Sequence, residues 1–190
     1  MKDPGYAPSK EDAWIETSTG IAFYPFRPTA EMVSIVDIAW ALSRTCRWNG
    51  HSEIQPKRFY SVAEHSVLMA DYLRSRGHSR LTCLTALLHD GAEAYVSDVP
   101  GPIKPFFPGF KDMEALIDGA IAEKFGSLHP FPPPVKELDR AMIPTEHEQL
   151  FTEDWCDVFI AMEPVDIKLK FWSPEESYDN FMGRYASLTK

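Results

Sequence analysis

Apolar residues recur at intervals of three and four positions along most of the chain, which is the spacing of one buried face of an α-helix. The first such segment begins at Ser34 and is predicted to end near Trp48. The second begins at Ser61, where Glu64 three positions later completes a capping box, and ends at Gly77. The pattern therefore predicts helices with defined starts and stops.

Four more helical segments follow. The third begins after Ser79 and is expected to continue through His89 as far as Glu93. A proline-rich stretch over 98–109 then predicts an irregular loop. The other three segments cover 113–125, 135–142 and 173–188. Pro144 removes a backbone hydrogen bond, so we expect the fifth helix to kink or break there.

Two short β-forming runs around Gly20 predict a hairpin over 14–26. The predicted fold class is all-α, with about six helices and a small N-terminal β-hairpin. We expect one domain over 1–190, in which 35–150 forms the core and 173–190 the C-terminal helix. The stretch 153–170 carries no pattern that assigns it.

Composition narrows the class of protein. The chain has 190 residues, 44% of them hydrophobic, and a net charge of −9, which argues against a role in coating nucleic acid or an anionic membrane. Its three cysteines are far apart and fit a reducing cytoplasm better than a disulfide framework. The polar start and the short apolar stretches predict a cytoplasmic protein without an export signal or membrane span.

Four polar residues interrupt faces that otherwise predict core, namely His65, His89, Asp90 and Asp139. A buried carboxylate without a partner is costly, and histidines and carboxylates that point inward together are most easily reconciled by a bound cation. Two imidazoles and two carboxylates suit one divalent transition metal ion, such as Zn²⁺, Mn²⁺, Co²⁺, Fe²⁺ or Ni²⁺.

The order His65, His89-Asp90, Asp139 is an H…HD…D pattern, and 35–150 resembles the HD-domain metal-dependent phosphohydrolases. The contexts Leu-Leu-His-Asp-Gly-Ala-Glu-Ala and Glu-Leu-Asp-Arg are similar to those of bacterial 5′-deoxynucleotidases and phage deoxynucleoside triphosphate hydrolases. The resemblance implies an HD-domain helical bundle that binds one metal through these four residues. It also implies a homodimer.

The resemblance assigns further roles around the metal. Glu93 lies four residues after His89, one turn away on a continuous helix, and is expected to act as general base or acid. Asp98 is expected to orient the attacking water or protonate the leaving oxygen. Arg47 and Lys104 correspond to residues that contact phosphate, and Trp48 to one that packs against the sugar and disfavours a 2′-hydroxyl. Further basic residues precede the metal helix: Arg44, Lys57 and Arg58.

These features predict a metal-dependent phosphohydrolase in which a metal-activated water attacks the α-phosphorus of a deoxynucleoside phosphate. A 5′-deoxynucleotidase is preferred, and a deoxynucleoside triphosphate triphosphohydrolase is the alternative. A catalytically silent nucleotide-binding HD module is a rival of another class. An HD enzyme for cyclic dinucleotides or guanosine alarmones is less favoured, because the additional motifs of those groups are not evident. Glu146 and Glu148, which flank His147, are interpreted as structural.

Overall fold

The computed structural model describes residues 9–53, 58–152 and 163–190. These ranges are mostly helical and carry a small antiparallel β-hairpin near the N-terminus, so the predicted fold class is confirmed. The elements are β1 (Ile15–Glu16), β2 (Ala22–Phe23), α1 (Ile35–Leu42), α2 (Val62–Ser75), α3 (Arg80–Leu88), α4 (Glu93–Val96), α5 (Phe110–Phe125), α6 (Pro133–Leu150) and α7 (Pro174–Leu188). All of these helices except the single-turn α4 have eight residues or more.

The hairpin is held to the helices by Asp37 on α1. The Asp37 carboxylate accepts hydrogen bonds from the hydroxyls of Ser18 and Thr19 and from the backbone N–H of Thr19. On the strand that follows, Phe23 is fully buried and stacks on Tyr95 with ring centroids 3.8 Å apart. The paired residues span less of the chain than the predicted 14–26, because the tight turn at Gly20 leaves only two residue pairs in register.

Helix α2 forms the centre of the fold. Its residues from Val62 to Ala70 are all buried, including the polar Glu64, His65 and Ser66. It packs against α3, α6 and α7, and α1 packs against α4 and α7. A side chain on α2 therefore meets groups from several helices in an environment largely closed to water, and this places His65 at the middle of the molecule.

Two predicted helix ends are wrong. Helix α1 ends at Leu42 instead of Trp48, because the chain turns at Ser43 and forms a β-bridge between Cys46 and Ser61. Helix α3 ends at Leu88 instead of continuing to Glu93. A turn over 89–92 separates it from α4.

Helix α6 runs through Pro144 to Leu150, so the chain is not broken there. Tertiary contacts secure the turns after the proline. The Thr145 hydroxyl donates to the Ala141 carbonyl at 2.7 Å and accepts from the backbone N–H of Val165 at 2.8 Å.

The two predicted capping boxes differ in outcome. At α7, Ser173 and Glu176 form both reciprocal hydrogen bonds. At α2, the Ser61 hydroxyl accepts from the Glu64 N–H, but the Glu64 carboxylate binds other backbone groups.

Candidate metal centre

Three helices bring the H…HD…D residues together. His65 lies in the first turns of α2, His89 directly follows α3, and Asp139 lies on α6. The two imidazoles are buried, whereas the Asp139 side chain is 42% exposed. The group is therefore closed on the histidine side and reachable from solvent on the carboxylate side.

The facing ligand atoms form a nearly equilateral triangle. His65 Nε2 lies 3.3 Å from His89 Nε2 and 3.4 Å from Asp139 Oδ1, and His89 Nε2 lies 3.6 Å from Asp139 Oδ1. Metal bonds of about 2.0–2.2 Å place neighbouring ligand atoms about 3.3–3.6 Å apart in a tetrahedral shell. These three residues therefore have the spacing and the chemistry of a metal-binding group.

Outer contacts orient both imidazoles. His89 Nδ1 lies 2.8 Å from the Ala86 carbonyl, which only accepts hydrogen bonds, so Nδ1 carries the hydrogen and Nε2 is left for a metal. His65 Nδ1 lies 2.6 Å from Glu146 Oε1. Such partners fix the tautomer of a metal-binding histidine. Both rings are therefore held with Nε2 toward the centre.

The electrostatics of the group are those of a cation site. Burial alone would raise the pKa of Asp139, but hydrogen bonds to His65 and His89 hold it well below its ordinary value. Burial alone would lower the pKa of His89, but the carboxylates of Asp90 and Asp139 raise it to about 9. The surrounding carboxylates thus stabilise positive charge between the imidazoles.

Asp90 lies at the edge of this group. Its Oδ1 is 3.2 Å from His89 Nε2 and its Oδ2 is 3.6 Å from His65 Nε2. Oδ2 also lies 3.4 Å from Nη1 of Arg47. Asp90 therefore contacts the metal-binding group on one side and a cationic side chain on the other.

Glu93 and Asp98 both lie close enough to Asp90 for its negative charge to raise their pKa values. Glu93 is 7% exposed, and burial, Asp90 and Asp98 raise its pKa well above the ordinary value. Burial is the main cause that raises the pKa of Asp98. The prediction that the helix of His89 continues to Glu93 is wrong. A turn over 89–92 separates the two residues and places Glu93 next to Asp90.

Arg47 and Trp48 begin a tight turn, Arg47–Gly50. Trp48 and Asn49 have φ angles of 54° and 50°, a conformation that costs about 1–3 kcal/mol for residues with side chains. Both side chains reach Glu146: Trp48 Nε1 donates to Oε2 at 2.8 Å, and Arg47 Nη2 lies 3.1 Å from the same oxygen. Tertiary bonds therefore help to offset the backbone strain.

Two clefts adjoin the metal-binding group. The first, which we call the tryptophan cleft, has a volume of about 360 Å³. Its lining residues are Arg47, Trp48, Asn49, His51, Asp98, Pro100, Gly101, Pro102 and Ile143. The second, the α5 cleft, has a volume of about 290 Å³ and includes His89, Asp90, Glu93, Lys104, Lys111, Asp118 and Lys136. The α5 cleft thus includes His89 and Asp90 themselves, whereas the tryptophan cleft is linked to the group through Arg47, which contacts Asp90.

Lys104 lies in the α5 cleft among carboxylates. Its Nζ is 2.8 Å from Glu114 Oε1 and 3.6 Å from Glu93 Oε1. Of the other basic residues, Arg44 pairs instead with the exposed Glu175 on α7, and Lys57 lies outside the described residues. The structure thus places Arg47 and Lys104 in two different clefts, with Arg47 in contact with Asp90 and Lys104 next to Glu93.

Two residues at the site were not predicted from the sequence. Glu146 is fully buried and contacts His65, Arg47, Trp48 and Tyr60 through its carboxylate. It lies seven residues after Asp139, two helical turns along the same face, and this spacing could have revealed it had the helix been continued through Pro144. Asp118 lines the α5 cleft, and burial raises its pKa to about 7.

The fold and the site define a helical protein with a buried histidine–aspartate group of metal-binding geometry. None of the described helices has the length and apolar content needed to cross a bilayer. The chain is 34% identical over 182 residues to Uncharacterized protein YfdR of Escherichia coli (strain K12), which covers 94% of this chain and 97% of YfdR. The chain therefore belongs to the family that includes YfdR.

A second relative is an uncharacterized protein of Rhodobacter capsulatus, RCAP_rcc00048. It is 29% identical over 191 residues, which cover 94% of this chain and 96% of the relative. No protein-family model matches the chain. The similarity in both cases extends over nearly the whole chain.

Proposed function

We propose that this protein is an HD-domain metal-dependent phosphohydrolase that removes phosphate from deoxynucleoside 5′-monophosphates. The observation that carries the proposal is the triangle of His65 Nε2, His89 Nε2 and Asp139 Oδ1, with sides of 3.3–3.6 Å. These atoms come from residues in the H…HD…D order of the HD phosphohydrolases. Their spacing supports a metal site built from that motif.

The metal would be held by His65, His89 and Asp139, with Asp90 as the fourth ligand. A divalent ion at such a site lowers the pKa of a bound water and polarises a phosphoryl oxygen. The exposed side of Asp139 leaves an approach for substrate. In this proposal the protein ligands would lie on the buried side of the metal and the substrate would approach from the solvent side.

Arg47 and Lys104 would neutralise the phosphate. Arg47 contacts Asp90 beside the metal ligands and also lines the tryptophan cleft, so it lies between the reacting phosphate and the space for a nucleoside. Trp48 in the same cleft would pack against the sugar. Lys104 approaches from the α5 cleft, where it lies next to Glu93. Guanidinium and ammonium groups are the usual protein partners of phosphate.

Glu93 and Asp98 would move protons. Hydrolysis breaks the bond between phosphorus and the 5′ oxygen, forms a bond between phosphorus and the water oxygen, and requires a proton on the departing 5′ oxygen. Burial raises the pKa of both carboxyls above the ordinary value, which makes each a stronger proton acceptor than an exposed carboxylate. Asp98 lines the tryptophan cleft and would protonate the 5′ oxygen there. Glu93 would accept the proton of the attacking water.

The α5 cleft supports a second candidate function, a deoxynucleoside triphosphate triphosphohydrolase. A longer substrate needs room and positive charge beyond the α-phosphate. The cleft offers about 290 Å³ and carries Lys104, Lys111 and Lys136, but Glu93, Glu114 and Asp118 share it. This balance of charge favours the monophosphate as substrate and keeps the triphosphate as the alternative.

The test is a substrate panel. The protein is stripped of metal with a chelator, reloaded with Mn²⁺, Co²⁺, Zn²⁺ or Mg²⁺, and supplied with ribo- and deoxynucleoside mono-, di- and triphosphates. Release of nucleoside and phosphate from deoxynucleoside monophosphates is the expected result. Release of intact triphosphate would support the second candidate. No turnover in protein that holds metal would contradict both functions and favour a nucleotide-binding module.

A further inference from the structure

Glu146 connects the metal-binding group to the turn at the tryptophan cleft through its two carboxylate oxygens. Its Oε1 accepts a hydrogen bond from the Tyr60 hydroxyl at 2.8 Å and lies 2.6 Å from His65 Nδ1. Its Oε2 accepts from Trp48 Nε1 at 2.8 Å and from Arg47 Nε at 3.2 Å. The residue is fully buried, so these groups take the place of water around the carboxylate.

On the metal side, Oε1 fixes the ring of His65. A carboxylate that accepts from Nδ1–H leaves Nε2 unprotonated and directed at the centre, 3.3 Å from His89 Nε2. The Tyr60 hydroxyl holds the same oxygen in place, and Tyr60 is itself 4% exposed. The orientation of His65 therefore depends on a fixed Oε1.

On the cleft side, Oε2 fixes the turn that carries Arg47 and Trp48. This turn has left-handed backbone at Trp48 and Asn49, which persists only where surrounding contacts enforce it. The indole also packs edge-on against Phe151, with ring centroids 5.4 Å apart. The hydrogen bond from Trp48 Nε1 sets how the indole lies over the tryptophan cleft.

We infer that Glu146 is a positioning residue that fixes His65 and the turn carrying Arg47 and Trp48 relative to each other. Metal binding and sugar selection therefore depend on the same carboxylate. The role of Glu146 in sugar selection rests on the proposed function. Glutamine cannot replace Glu146 on both sides, because an amide has one acceptor oxygen and one N–H donor group. Whichever way the amide is turned, its N–H₂ faces either the donors of Trp48 and Arg47 or the Tyr60 hydroxyl and His65 Nδ1.

The experiment compares Glu146→Gln with Glu148→Gln, which makes the same change at an exposed position of α6. The Kd for Mn²⁺ is measured by competition with a chromogenic chelator, and kcat/KM is measured for a deoxynucleotide and its ribo counterpart. For Glu146→Gln we expect Mn²⁺ binding about 10–100-fold weaker and a lower ratio of deoxy to ribo kcat/KM. Glu148→Gln should match the wild type in both.

Two further variants separate this role from a purely structural one. Trp48→Phe removes the indole N–H that donates to Oε2 and leaves the Oε1 contacts with His65 and Tyr60 in place, so it should lower the deoxy to ribo ratio and leave the Kd for Mn²⁺ within about twofold of the wild type. Glu146→Asp keeps the charge and should recover part of the metal affinity that Glu146→Gln loses. If Glu146→Gln does not fold, Glu146→Asp carries the comparison, with intermediate losses expected in both measurements.

A Glu146→Gln protein that melts earlier but keeps wild-type Mn²⁺ affinity and sugar preference would overturn the inference. Failure of the proposed function is a separate result, because it is seen as an absence of turnover in metal-loaded wild-type protein. In that event the Mn²⁺ affinities still decide the metal-side role. The ratio of Kd values for a deoxynucleotide and its ribo counterpart then decides the cleft-side role.

Discussion

Glu64 Oε1 accepts a hydrogen bond from the backbone N–H of Lys170 at 2.6 Å, which ties the start of α2 to the segment that leads into α7. The same carboxylate accepts from the N–H groups of Phe171 and Trp172. Phe171 packs edge-on against Tyr60, which donates to Glu146. The Glu64 carboxylate thus holds Phe171 in place against Tyr60, and through Tyr60 it supports the position of Glu146.

Replacement of Glu64 by Gln should destabilise the protein. The glutamine amide has a single acceptor oxygen, so its N–H₂ group would face a backbone N–H in a fully buried site. We expect a loss of about 1–3 kcal/mol in the free energy of unfolding, measured by urea denaturation of metal-free protein. Glu137→Gln, at an exposed position of α6, is the control. Equal stability of the two variants would contradict the assigned role of Glu64.

Gly91 in the turn between α3 and α4 has no room for a side chain. A Cβ there would lie 2.8 Å from Ile121 Cδ1 and 2.9 Å from the Leu88 carbonyl oxygen, and the carbonyl cannot move without shifting the end of α3. Gly91→Ala should therefore cost about 1–3 kcal/mol of stability and weaken metal binding, because the neighbouring Asp90 would move.

Gly119 on α5 provides the opposite case. A Cβ at this position would meet nothing within 4 Å, and the residue lies inside a helix. Gly119→Ala should stabilise the protein by about 0.5–1 kcal/mol. The free energy of unfolding of both variants is measured by urea denaturation. A Gly91→Ala protein as stable as Gly119→Ala would show that the turn at Gly91 is not tightly packed.

Metal affinity should depend on pH through His89. Its pKa in the metal-free fold is about 9, above the ordinary 6.5. The protonated ring therefore stabilises the metal-free fold in full below about pH 6.5, and this contribution is lost as the pH rises through about 9. An ion that binds Nε2 must displace this proton. We expect the Kd for Mn²⁺ to fall about tenfold per pH unit between about 6.5 and 8.5; a flat profile would contradict this.

Local patterns were sufficient to predict the helical class and the candidate ligands. His65 and Asp139 lie on periodic faces, and the helix starts at Ser61 and Ser79 follow from side-chain caps that the structure contains. Local rules failed where distant contacts decide the backbone. The bridge between Cys46 and Ser61 ends the first helical segment early, and Thr145 helps to hold the helix beyond Pro144.

Glu146 shows the same limit in the candidate site. Its partner His65 is 81 residues away in the sequence, so no local pattern pairs the two residues. A glutamate is ordinarily exposed, and only the fold reveals that this one is enclosed by Arg47, Trp48 and Tyr60. The sequence pattern thus singled out His65, His89 and Asp139, which the fold brings together, while the residues that orient them depend on which helices meet.

A metal titration of activity tests the proposed metal dependence most directly. Metal-free wild-type protein is titrated with Mn²⁺ while phosphate release from a deoxynucleoside monophosphate is followed, alongside Asp139→Asn and the exposed control Asp179→Asn. We expect wild type and Asp179→Asn to gain activity with bound metal and to saturate at about one ion per chain. Asp139→Asn should retain neither metal nor activity. Full phosphate release by metal-free protein, or by Asp139→Asn, would contradict the proposed metal dependence.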